Sequence, residues 1–414
     1  MRRFLPISLS RDRSSRPNRS SPEAWYWIGL GYLSLFTYGF IDNSRGPIFP
    51  DVLKDYQLSD SVGSLFFLVS SAAALLNNTF FSRWLNRTAG GPLLRIYSLV
   101  QIVGLLLIGL SPTFVVTLLG ALIIGIAFGG LSIAQNHLIT ENAPRSIRRR
   151  LFAGLHSTYG LASLMAPMAV SMFYLAGFRW RFVLSSLSLG PLAVFLFARS
   201  HRQKQSPRPA SEIDADAQLA QPAPRREALY FAWVSSLYVV AEISISSRLA
   251  LLARREWGFD PESANRVLAT FFAAMFIGRF LFAALHFPWR NRQILLFGGG
   301  LGFAAFVIGM FAGPWWLALS GLGMSVFYPC IVTLIADEQG PRARAITSIA
   351  ITSQSLGLIF MHFILGAMAD SFGLGRALWL GPICLGTALV LLLFKERLAP
   401  IYVRKTVCSE TANS

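Results

Sequence analysis

The chain has 414 residues, 54% of them hydrophobic and only 14% charged, and carries a formal net charge of +17 at pH 7. With a mean hydropathy of +0.51, it falls outside the composition of ordinary water-soluble domains and fits repeated crossing of a lipid bilayer. The excess of basic residues does not form one soluble face. It sits in the short segments between apolar runs, which argues against nucleic acid as a partner and for loop orientation by the positive-inside rule.

Crossing a ~30 Å hydrocarbon layer takes about 20 apolar residues. Taken in chain order, such runs predict helices over 25–49, 60–82, 92–110, 113–139, 151–176 and 179–198, and then over 228–251, 263–287, 293–312, 314–336, 344–369 and 376–394. The expected class is an all-α polytopic membrane protein with 12 transmembrane helices in two six-helix bundles. Its parts are a basic N-terminus (1–24), a first bundle (25–199), a linker rich in Pro, Gln, Ala and charge (200–227), a second bundle (228–395) and a tail (396–414). The first run is too long for a signal-peptide core of about 7–15 residues.

Arginines of the N-terminus (Arg2 to Arg19), Arg83, Arg87, the group Arg145, Arg148, Arg149 and Arg150, and Arg199 with the linker's Arg202, Lys204, Arg208, Arg225 and Arg226 fall on one side when twelve helices alternate. That predicts cytoplasmic termini and linker, in a bacterial inner (plasma) membrane. Arg179, Arg181, Arg254 and Arg255 are exceptions on the opposite side. Cys330 and Cys384 lie in apolar runs and Cys408 in the tail, which gives no disulfide framework and no metal-ligand spacing. There is no phosphate-cradling Gly-rich loop and no nucleophile elbow. Neither an enzyme nor a bound cofactor is expected, and the energy source implied is a proton gradient.

The halves repeat. Glu141-Asn142-Ala143-Pro144-Arg145 is echoed by Glu338-Gln339-Gly340-Pro341-Arg342, Gly160-Leu161 by Gly357-Leu358, and Ser82-Arg83 by Gly278-Arg279.

Polar groups at membrane depth cost free energy unless they line a path or meet partners. The first acid is Asp42, about 25 Å along its helix from Trp25, which places it toward the outer part of the membrane. Arg45 lies three residues on, on the same face. The pair can bind a proton and an anionic solute, or can be a structural ion pair at the outer mouth; Asn43 stands between them. The second acid is Glu242, with Tyr238 four residues earlier on the same face and Arg248 further along. Ser132, Gln135 and Asn136 close helix 4, His156 and Tyr159 open helix 5, and Tyr328, Gln354 and His362 lie in helices 10 and 11. These are candidates for a solute cavity, with Asp42 and Glu242 as candidates for proton coupling. Gly125, Gly129 and Gly130 read as close-packing positions.

These motifs resemble the fucose–galactose–gluconate:proton symporter branch of the major facilitator superfamily. Leu237-Tyr238-Val239-Val240-Ala241-Glu242, with Phe276-Ile277-Gly278-Arg279-Phe280 after it, is similar to that family's helix 7 and helix 8 segments. Phe327-Tyr328-Pro329, Leu131-Ser132-Ile133-Ala134-Gln135-Asn136 and the stretch Asn43 to Pro50 resemble its helices 10, 4 and 1. The chain differs at two acidic positions of the family, where Gly46 and Ser132 stand; Asp42 is one turn before the first. The resemblance implies a monomeric secondary transporter that takes up a small-molecule solute such as a sugar with protons, by alternating access. Arg83 and Arg279, near the cytoplasmic helix ends, are expected to form a cytoplasmic gate that steadies the outward-open state. A proton-driven efflux antiporter for drugs or metabolites, and a non-transporting membrane receptor, are the alternatives.

Overall fold

The structure is a computed structural model and describes residues 21–144, 146–201, 203, 224–285 and 288–399. The expectations placed on Arg2 to Arg19, Arg145, the interior of the linker and the tail with Cys408 fall outside these residues. In the first half the helices are α1 (Pro22–Tyr56), α2 (Asp60–Phe80), α3 (Ser82–Arg87), α4 (Gly90–Gly109), α5 (Phe114–Asn142), α6 (Arg148–Leu175), α7 (Trp180–Ser186) and α8 (Leu189–Ser200). In the second they are α9 (Arg225–Glu256), α10 (Pro261–Ala284), α11 (Asn291–Ala312), α12 (Pro314–Met324), α13 (Phe327–Gln339), α14 (Ala343–Phe372), α15 (Leu374–Ala377), α16 (Leu380–Leu393) and α17 (Lys395–Leu398). The all-helical expectation holds among the described residues.

Local chemistry sets the ends. Ser21 caps α1 by accepting from the Ala24 N–H, with Pro22 at the first position, and Ser59 caps α2 in the same way. Asp260 caps α10 ahead of Pro261; hydrogen bonds from Ser263 hold its carboxyl below the usual carboxylate range. Three of the expected spans are divided, and the breaks share a cause. The carbonyls of Leu187, Ser325 and Leu378 lie four residues before Pro191, Pro329 and Pro382, which have no N–H to give them. The helices part there, into α7 and α8, α12 and α13, and α15 and α16. Two of these breaks carry the same words, Leu189-Gly190-Pro191 and Leu380-Gly381-Pro382, a further trace of the repeat. Pro47 and Pro50 do not stop α1, because Gly46 to Pro50 are buried and the surrounding helices hold the segment.

Ten stretches of the described residues are long and apolar enough to cross a membrane by length and composition. One of them, Pro314–Phe372, contains α12, α13 and α14, with a short 3-10 turn at Gly340–Arg342 between the last two. Helix α1 is not among the ten, since Trp, Tyr, Gly and Ser dilute its apolar residues before Asp42 is reached. The molecule is an integral membrane protein.

The halves meet along α1 with α9, α2 with α14, and α6 with α10. At one end of the first half Tyr26 donates to the Phe197 carbonyl (2.7 Å) and lies against the His201 ring, and Gln203 joins Glu141 to the first turn of α4. This is the linker end. At the opposite, far end, Arg254 grips Asp51 with two hydrogen bonds of 2.9 and 3.0 Å, and Arg255 reaches Asp60 at 2.6 Å. The Asp370 carboxylate accepts from the N–H groups of Asp60 and Ser61 at the start of α2, at 2.7 and 3.0 Å, where the helix dipole favours an anion. All of these far-end bonds cross from one half to the other. Arg181 there pairs with Asp55 of its own half. Three of the four arginines that broke the charge asymmetry, Arg181, Arg254 and Arg255, thus each have an acid of α1 or α2 as partner.

Candidate functional site

A cavity of about 210 Å³ opens between the halves, walled by α1, α2, α5 and α6 on one side and α9 and α14 on the other. Its polar centre is the Asp42–Arg45 pair. The Arg45 Nη2 binds Asp42 Oδ1, its Nη1 donates to Ser70 Oγ at 2.6 Å, and its Nε to the Asp42 carbonyl at 3.3 Å. The second carboxylate oxygen of Asp42 accepts from the Tyr159 hydroxyl at 2.8 Å. The acid is therefore shared between its own helix and α6, with Arg45 tying it to α2. Two glycines make these approaches possible: a Cβ on Gly39 would lie 2.8 Å from the Tyr159 ring, and one on Gly125 would lie 2.2 Å from the Ser70 carbonyl oxygen. Gly125 is thus a packing position, as expected.

Apolar rings frame the pair. The Arg45 guanidinium lies 5.4 Å from the Phe67 ring centre and 5.3 Å from that of Phe128, a cation–π arrangement that favours a desolvated cation. His362 of α14, only 3% exposed, stacks on Phe67 with centroids 5.1 Å apart. Its Nδ1 is buried without a hydrogen-bond partner. Behind Phe67, Arg248 is 2% exposed, donates to Ser64 Oγ at 2.8 Å and lies over the Phe49 and Phe67 rings.

Of the sequence candidates, Asp42, Asn43, Arg45, Tyr159 and His362 line this cavity. Asn43 turns its amide back onto the Gly39 carbonyl. Helix α1 continues past Asp42 through Pro50 to Tyr56, and the acid lies at a cavity between the bundles. Glu242 falls in a second cluster. It and Arg279 both lie near enough to Tyr238 and Tyr328 to act on them electrostatically. Tyr238 is buried, donates to the Met324 carbonyl at 2.9 Å and stacks on Phe327. Arg279 stands beside Gly160 of α6, and His156 feels its charge.

The remaining candidates lie elsewhere. Gln135 is buried and ties α5 to α1 through Ser34 Oγ at 2.9 Å. Ser132 and Asn136 bond to carbonyls of their own helix, and Gln354 is half-buried on α14. Arg83 is exposed on α3. Sequence reasoning missed Tyr38, Ser70 and the pair Ser246-Ser247, all at the cavity. For Tyr38 a signal existed: Tyr38 precedes Asp42 as Tyr238 precedes Glu242, and buried Ser44 and Ser244 follow at the same interval.

Two helical bundles enclosing a polar cavity at their seam define a membrane transporter rather than an enzyme. A sequence profile of the Major Facilitator Superfamily matches residues 31–360, and the chain belongs to that superfamily. It is 23% identical over 367 residues to a protein named as a TsgA homolog from Erwinia tasmaniensis, a match covering 85% of this chain and 90% of that one. Among solved structures it is similar to a bacterial homolog of the human lysosomal transporter Spinster in an inward-facing, occupied conformation. That match has a TM-score of 0.72 at 14% identity, over 92% of this chain and 98% of that one. A D-xylose–proton symporter matches with a TM-score of 0.70 at 15% identity, over 91% and 98% of the two chains. At these identities the solved structures speak to the fold alone.

Proposed function

We propose that the protein is a proton-coupled secondary transporter that moves a small polar solute by alternating access, with Asp42 as the proton carrier. The observation that carries this reading is the placement of Asp42. It is one carboxylate, held by Arg45 and Tyr159, at a cavity formed where the two bundles meet. A proton bound there weakens the ion pair to Arg45, so protonation and the packing of α1 on α2 and α6 are linked. The cross-half bonds at the far end support a state closed on that side. With the linker and termini in the cytoplasm of a bacterial inner membrane, that state faces inward. Each chain contains its own cavity, which supports a monomer as the working unit. A sugar-like solute is what the motif resemblance suggests; the serine- and tyrosine-bearing lining supports a hydrogen-bonding solute of small size.

The test is flux into proteoliposomes under an imposed pH gradient. Uptake that follows the gradient in the natural protein and loses that dependence in Asp42→Asn is the expected result. Uptake indifferent to the gradient in the natural protein sinks the coupling.

A further inference from the structure

Two guanidinium groups and one neutral imidazole gather around one ring. Arg45, Arg248 and His362 lie 5.4, 4.7 and 5.1 Å from the centre of Phe67. Against them the cavity offers one acid, Asp42, and it is already engaged by Arg45. No ion pair to Arg248 is present among the described residues; Asp60, the acid whose charge reaches it, is bound by Arg255. The His362 Nδ1 has no partner although the ring is almost wholly buried at the cavity wall. A guanidinium has five N–H groups, and Arg45 uses its Nε and one on each Nη in the contacts seen. A buried cation without a counter-ion is unfavourable in a low-dielectric interior. The surroundings therefore hold positive charge in excess, and an uncharged solute would leave it uncompensated.

We propose that the solute is a small anion, an oxyanion of one net negative charge, held by Arg45 and the open His362 nitrogen in the field of Arg248. The inference rests on the transport reading and adds the charge of the cargo to it. It also connects the cargo to the proton. Asp42 is faced by Arg45 and Tyr38 of α1, by Tyr159 of α6 and, across the cavity, by His362 of α14, with Arg248 of α9 behind Phe67. When a carboxylate oxygen of Asp42 takes a proton from solvent, its charge is lost and the Arg45 guanidinium is released to the anion. Proton and anion then cross together, and the pair moves no net charge.

The experiment uses the purified full-length protein at matched ionic strength. Thermal stabilisation is measured against sodium salts of small hydroxycarboxylates, sodium phosphate, and uncharged sugars and polyols of similar size, since a ligand of the folded state raises the melting temperature. Saturable stabilisation by an anion and none by the neutral compounds is expected. The carboxylate and phosphate arms identify which oxyanion is preferred. Arg45→Gln and Arg248→Gln should each weaken that binding by about tenfold or more. Arg248→Lys, which keeps the charge, should retain most of it and controls for folding. Stabilisation by neutral compounds only, or by no member of the panel, overturns the anion assignment. An anion that binds but is not taken up by proteoliposomes leaves that assignment standing and counts against the transport reading instead.

Discussion

The two halves carry the same short pattern, a tyrosine, an acid four residues later and a buried serine two after that, on α1 and on α9. Their surroundings differ. Asp42 has its cation on its own helix one turn on, and its second oxygen reaches Tyr159 on α6, so it stands open to the cavity. Glu242 shares its cluster with Arg279 of α10, and Tyr238 there is committed to the Met324 carbonyl and the Phe327 ring. Tyr38, its counterpart, lies against Phe128 at the cavity wall. One pattern serves as a wall of the cavity and the other as a seam between neighbouring helices. Both acids are half-buried, and the neighbours decide which groups each one meets.

The largest effect that can break this comparison is an exchange of roles between the two acids. Glu242→Gln should keep uptake responsive to the pH gradient, whereas Asp42→Asn should reduce that response to the level of empty vesicles. The opposite outcome would reassign the proton to α9. Next comes the far-end clasp. Arg254→Gln leaves Asp51 without its two-bond partner and should destabilise the closed far end by about 2 kcal/mol, roughly thirtyfold in the open population. A cysteine in place of Ser71, at the cavity wall, would then be labelled faster by an impermeant thiol reagent added from the far side. Unchanged labelling would remove the clasp from the mechanism.

The two tyrosines give a smaller and sharper contrast. Tyr238→Phe should lower the melting temperature, because a buried carbonyl loses its donor, at about 1–3 kcal/mol. Tyr159→Phe should leave stability nearly unchanged and move the pH dependence of uptake, since its hydroxyl is bonded to Asp42. Equal shifts in both quantities for both variants would dissolve the distinction. The smallest expected effect is that of Arg83→Ala, within about 0.5 kcal/mol of the natural protein's stability. Accessibility of the cavity cysteine is the readout for the gate expected at Arg83 from its place near a cytoplasmic helix end.

Much of the site was legible, though in fragments. Asp42 and Arg45 are neighbours on a helix face, so spacing alone joins them. His362 and Tyr159 stand out as polar residues at depth, but nothing in the chain says that they line the same cavity from opposite bundles. Gln135 looked like a cavity residue for the same reason and is instead bonded to Ser34, because amide groups also serve helix packing. The breaks before Pro191, Pro329 and Pro382 follow from backbone chemistry local to the sequence, although the apolar runs continue through them. Arg254 and Arg255 stood out only as violations of a charge rule, and their reason is tertiary.

Hydropathy, proline positions and the repeat thus determine helices, breaks and two halves, because each depends on residues close in sequence or on the solvent around them. Which acid faces the cavity, which arginines clasp the far end and which cation stays uncompensated depend on groups between about 100 and 300 residues apart. Those pairings form only when the bundles pack, and there the structure sets one of two similar motifs at the wall of a cavity.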